Sequence, residues 1–177
     1  LYAIRSSKAL LRHTNTMNKP MTPTHANFTI DLQVACENIT PPSLDDFNLW
    51  VGSALSTCKR DHVEVCIRLV EADESHKLNK QFRKKDCPTD VLSFPYHYEQ
   101  RDNDQALLGD IVICADCLEA KARERGVKPS DHWAHIVIHS VLHLLGFDHL
   151  EDKQATTMES LEVDILEKLG VQNPYDT

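Results

Sequence analysis

From Phe28 onward the apolar positions of the chain switch repeatedly between a period of two and a helical period. Phe28, Ile30, Leu32 and Val34 alternate with polar residues, the pattern of a half-buried strand. Pro41-Pro42-Ser43 breaks that pattern and offers an N-cap, and Leu44, Phe47, Trp50, Val51, Ala54 and Leu55 then fall at helical spacing. Val63 to Val70 alternates again and predicts a second strand. Glu71 to Lys84, with Leu78 and Phe82 four apart, predicts a helix. Asp90 to Tyr96, closed by Pro95, and Leu108 to Ala115 predict two further strands. Helices follow over Ala115 to Gly126, over Ser130 to Gly146 with Ser130 as N-cap, and over Asp152 to Leu169. The last has Met158, Leu161, Ile165 and Leu169 on one face and Gly170 as its stop. The expected fold is α+β: one domain, a small mixed sheet of about four strands packed with about five helices, and no internal repeat.

Composition narrows this little. A chain of 177 residues with ordinary hydrophobic and charged fractions suits one globular domain, and no apolar run has transmembrane length, so no membrane partner is expected. Six scattered cysteines in a chain of this size point to a reduced, cytoplasmic setting. Cys114 and Cys117 form C-A-D-C without a second pair, and packing at a strand end is the expectation for them. A net charge of −8 excludes binding a polyanion through the overall field, so any such partner must meet a local patch. Arg83, Lys84 and Lys85 are one candidate; Lys121, Arg123, Arg125 and Lys128 are another.

Residues 1–27 stand apart. They hold no acidic residue, carry Arg5, Lys8, Arg12 and Lys19, and precede the first acid at Asp31. That composition suits an organellar transit peptide, and equally translated sequence upstream of a start at Met17 or Met21. The expectation is a poorly ordered extension, followed by a domain over 28–170 and a C-terminal tail over 171–177.

The chemistry concentrates in His139 to His149, H-S-V-L-H-L-L-G-F-D-H. His139 and His143 lie one helical turn apart on one face and can aim two imidazoles at one point. Gly146 can adopt a left-handed conformation and turn the chain so that His149 returns toward the pair. Three neutral imidazoles with one position left open describe a catalytic zinc site, one ion per chain. The segment is apolar on nearly every side, so the helix should be buried, and buried imidazoles need partners. His135 extends the row by one turn, but His135 and His143 would lie about 12 Å apart along the axis. His135 is therefore placed behind the ligands or in the packing, with ligation as the competing assignment. The spacing is that of metzincin proteases, yet Ser140 stands where those enzymes carry their glutamate base.

The same stretch resembles the H-G-x-L-H-L-x-G-Y-D-H signature of the YbeY family of metal-dependent endoribonucleases. F-R-K-K-D-C-P-T-D-V-L-S-F-P and L-L-G-D-I-V-I-C resemble that family's other two hallmark segments, in the same order. The resemblance covers roughly 28–170; Ser140 replaces the usual glycine and Phe147 the usual tyrosine. It implies that His139, His143 and His149 hold one zinc ion and that Arg83 is the essential arginine of the cleft. It further implies single-stranded RNA as substrate, a role in 3′-end maturation of 16S-type rRNA and in ribosome quality control, and small-subunit ribosomal components as partners. A metal that activates water and a guanidinium facing the phosphoryl oxygens suit phosphodiester hydrolysis. Asp110 and Asp148 remain ambiguous, and no general base is assigned. A non-catalytic zinc-containing ribosome-assembly adaptor and a zinc hydrolase of amide or peptide bonds are the alternatives.

Overall fold

Strand β2 (Val63–Val70) reads V-E-V-C-I-R-L-V, apolar on both faces, and such a strand belongs inside a sheet covered on both sides. In the computed structural model, which describes residues 27–37, 39–96, 106–148 and 152–176, it is flanked by β1 (Phe28–Val34) and β4 (Ala106–Cys114). The order is β1-β2-β4-β3, with β1, β2 and β4 parallel and the edge strand β3 (Val91–Pro95) antiparallel to β4. The expectations for residues 1–26 lie outside the described residues.

Alternation sorts the two faces. Val63, Val65, Ile67 and Leu69 of β2, with Ile111 and Ile113 of β4, join the larger core under α1 (Leu44–Thr57), α4 (Pro129–Leu144) and α5 (Asp152–Lys168). Val70, Val112 and Cys114 face the smaller layer beside α2 (Ala72–Arg83) and α3 (Ala115–Glu124), where Leu78 and Cys117 pack. Five helices and a mixed four-stranded sheet among the described residues make one small α+β domain, as the apolar pattern predicts. Ser43 caps α1 in a full capping box with Asp46, satisfying backbone donors the helix leaves open.

Two expectations shift. Helix α4 begins at Pro129 with Lys128 as N-cap, not at Ser130, because proline is pre-organised for the first helical position and has no N–H to satisfy there. In α2 the fully buried residues are Ser75 and Asn79 rather than Leu78 and Phe82. The reason is that the inner side of α2 meets the 84–90 loop: Ser75 Oγ donates to the Thr89 carbonyl at 2.6 Å and Asn79 Nδ2 to the Cys87 carbonyl at 2.7 Å.

Helix α4 runs through the core, with eleven of its residues buried, Ser140 among them. The Ser140 hydroxyl donates back to the Ile136 carbonyl at 2.8 Å, so this departure from the usual glycine is satisfied within the helix. The C-terminal end of α4 comes down on the β3–β4 pair at Gly109. A Cβ there would stand 2.4 Å from the Phe94 carbonyl oxygen and 2.8 Å from Leu144 Cδ2. That close approach brings the helix end to the edge of the sheet, where the site forms.

Candidate metal centre and its cleft

Helix α4 carries histidines at 132, 135, 139 and 143, spaced so that they share one stripe. The last two meet at the C-terminal end, with ring planes at 88°, centroids 4.5 Å apart and Nε2 atoms 3.1 Å apart. The far side of each ring settles its tautomer. His143 Nδ1 lies 3.0 Å from the Phe147 carbonyl, which only accepts, so Nδ1 carries the proton. That carbonyl returns to the helix because the chain turns through Gly146, at φ 92°. His139 Nδ1 lies 2.7 Å from Glu162 Oε1 of α5.

Glu162 is fully buried. Burial alone would raise its carboxyl, but hydrogen bonds from His135, His139 and Tyr175 outweigh it and bring the group down to about 2. The carboxylate is ionised and accepts, so His139 also carries its proton on Nδ1. With both rings neutral the two Nε2 atoms converge at 3.1 Å as acceptors, a contact that either a shared proton or a metal ion between them satisfies. Two nitrogens bound at 2.0–2.1 Å to one tetrahedral ion stand about 3.3 Å apart, so the spacing fits a metal. Glu162 behind His139 matches the carboxylate–histidine–metal arrangement that fixes ring orientation and raises ligand basicity.

His135, His139 and Glu162 also form a group that could hold a metal ion, their ligand atoms lying within 4.8 Å of one another. Within it the contacts are 2.7 Å and 3.2 Å, the lengths of N–H···O hydrogen bonds. The structure thus places His135 on Glu162, behind the His139–His143 pair. His149, the third ligand expected from the motif, lies outside the described residues.

Arg83 ends α2 and lines the same cleft as the histidine pair. The cleft, of about 360 Å³, is bounded by Arg83, Lys85, Asp90, Ser93, His139 and His143. The loop after α2 is what delivers the cations. Lys84 closes the helix in the left-handed region at φ 60°, and Asp86 is tied back to His76 at 2.7 Å and Lys80 at 3.0 Å. Asp90 is paired with Lys121 at 2.9 Å. Burial would raise the Asp90 carboxyl, but the hydrogen bond and charge of Lys121 hold it below the ordinary range. Arg83 and Lys85 therefore give a cationic mouth to a protein of net charge −8.

The second basic stretch divides. Lys121 serves Asp90, Arg123 Nε donates to the Glu119 carbonyl at 3.3 Å, and Arg125 with Lys128 lines a separate cavity by the N-terminus of α4. Asp110 shares a sheet face with Val112 and Cys114, opposite α4, and does not line the cleft. Asp148 is half-buried just past the Gly146 turn. Cys114, buried at the end of β4, has its thiol pushed up to about 12, chiefly by burial, as befits packing. Glu162 escaped the reading of the sequence, although a glutamate four residues after Met158 and three before Ile165 sits on the apolar face of α5. A charge at such a position signals a buried partner.

A family model described as Endoribonuclease YbeY matches residues 36–170. An Endoribonuclease YbeY from Colwellia psychrerythraea is 50% identical over 150 residues, covering 82% of this chain and 96% of that protein. Among solved structures, the solution structure of TM1509 from Thermotoga maritima is similar at a TM-score of 0.49 with 25% sequence identity, over 84% of this chain and 99% of that one. The family-model match over 36–170 and the 50% identity to the Colwellia protein leave one conclusion: the chain belongs to the YbeY family of endoribonucleases, hydrolases that cut RNA internally.

Proposed function

We propose that this protein is a single-strand-specific, zinc-dependent endoribonuclease acting in 3′-end maturation of 16S-type rRNA and in ribosome quality control, with small-subunit ribosomal components as partners in the cytoplasm. His139, His143 and His149 would hold one zinc ion. The observation that carries the reading is the convergence of the His139 and His143 Nε2 atoms at 3.1 Å in a cleft that also holds Arg83. Zinc, when bound, supplies Lewis acidity toward a phosphoryl oxygen and makes water a competent nucleophile near neutral pH.

The chain's own residues do the rest. Arg83 presents a planar fork of donors to the non-bridging phosphoryl oxygens, where charge grows in the transition state. Lys85 adds a point charge that draws the backbone into the cleft. Glu162 and the Phe147 carbonyl hold the two imidazoles in one tautomer, so no reorganisation is needed at the moment of reaction. An opening beside the edge strand β3 suits a flexible single strand, whose backbone can bend to the half-buried histidines.

The test is cleavage of a labelled single-stranded RNA by wild type, His143→Ala and Arg83→Ala, with zinc content measured on each. Loss of cleavage in both, with zinc lost only from the histidine variant, supports the reading. Cleavage that persists unchanged in both variants, or a zinc-loaded wild type inert on free RNA and on small-subunit particles alike, would falsify it.

A further inference from the structure

Past Gly170 the chain packs beside the loop between α3 and α4 and the first turns of α4, where Val171–Pro174 and Asp176 share a cavity with Arg125, His132 and His135. Arg125 Nη2 donates to the Pro174 carbonyl at 3.0 Å. Asn173 then closes a short turn: its Oδ1 accepts from the Tyr175 N–H at 3.0 Å and its Nδ2 donates to Asp176 Oδ1 at 2.9 Å. The turn delivers the Tyr175 ring edge-on to His135, centroids 5.8 Å apart, and its hydroxyl donates to Glu162 Oε2. Tyr175 lies beyond residues 36–170, the stretch the family model matches.

The donors around Glu162 show what this contact does. Oε1 takes the His139 Nδ1–H at 2.7 Å; Oε2 takes His135 at 3.2 Å together with the phenol. Both imidazoles come from α4, one turn apart, and the His135 bond is at the upper end of the usual range. Donors from one helix restrain the carboxylate from one side only, about a terminal torsion that is intrinsically broad. A third donor from a different segment of the chain removes that freedom. We infer that Tyr175 is a positioning residue: through Glu162 it keeps His139 in the tautomer and orientation that aim Nε2 at the metal, so the C-terminal tail sets how tightly the site holds its ion. The inference rests on the reading of His139 as a ligand.

Zinc affinity measured by chelator competition on the full chain tests it, together with nitrogen-15 NMR of the imidazoles in the metal-free protein, which reports the His139 tautomer. Tyr175→Phe keeps the ring against His135 and removes one oxygen. Its affinity is expected to fall about tenfold, the lower end of what partners behind a ligand contribute, and His139 to become a mixture of tautomers. Asn173→Ala, which loosens the turn, is expected to move both readouts the same way by a smaller factor. Wild-type affinity in these variants overturns the inference, and so does weaker binding with an unchanged His139 tautomer, since tail packing alone would do that. His139→Ala separates the layers: if it binds zinc as tightly as wild type, the ligand assignment has failed and the inference falls with it, whereas zinc loss in His139→Ala beside wild-type affinity in Tyr175→Phe overturns the role of the tail alone.

Discussion

The two ends of α4 carry the same side chain in different service. At the C-terminal end His139 and His143 face a cleft with Arg83 and Lys85, and each has its Nδ1 proton engaged by an oxygen. At the N-terminal end His132 is 4% exposed and its Nε2 has no hydrogen-bond partner among the described residues. Burial, and after it the charge of His135, pushes the His132 imidazole down to about 4. All four histidines lie on one helical stripe, so residue type and position on the helix do not separate the two ends. What does is the neighbourhood: a buried carboxylate and a returning carbonyl hold the Nδ1 protons of His139 and His143, while burial without a partner for Nε2 keeps His132 neutral.

The largest expected contrast comes from removing one histidine at each end. His143→Ala should abolish RNA cleavage and weaken zinc binding beyond the roughly 10–100-fold lost when a partner outside the ligand set is removed. His132→Leu should keep both and should unfold at equal or higher urea concentration, because an unsatisfied buried nitrogen is replaced by an apolar group. Equal loss in the two variants would dissolve the comparison.

Arg83→Ala tests the cleft against its floor. A rate loss of roughly 10²–10³, with zinc content unchanged, is what removing a donor aimed at transition-state charge produces. Zinc lost along with activity would mean that Arg83 supports the site structurally.

A pH series sharpens the contrast from the other end. His132 has its folded value near 4 against 6.5 unfolded, so its contribution is present above about 6.5 and is lost as pH falls toward 4, where the unfolded chain takes up the proton first. The loss is on the order of 3 kcal/mol, read by urea unfolding of the metal-free protein. His132→Leu should flatten that window. Glu162, brought from 4.5 to about 2, acts in a lower one, with stability held above 4.5 and lost as pH falls toward 2.

The smallest effect concerns the loop that presents the cations. Lys84 sits at φ 60°, where a β-carbon costs about 1 kcal/mol. Lys84→Gly should leave stability within about 1 kcal/mol of wild type, on the stabilising side, while RNA affinity drops slightly for want of one charge. A marked loss of stability would show that the Lys84 side chain is needed to close α2.

Most of the element pattern was legible because it depends on local sequence: β2 occupies the predicted span, with Cys66 and Val70 making its second face apolar as well, and α4 is buried as its apolar circumference requires. The His139–His143 pair was legible for the same reason, two positions one turn apart being neighbours on any α-helix. The misplacements are local too, a proline outranking a serine at the start of α4 and a polar inner face on α2 that the Leu78–Phe82 spacing concealed. Only the tertiary structure decided that α2 ends over the α4 cleft, so that Arg83 and His143, sixty residues apart in sequence, bound one cavity. It also decided that Glu162 of α5 and Tyr175 of the tail converge behind His139. No spacing along the chain encodes those contacts, because they arise from how separate elements pack across the sheet and against one another.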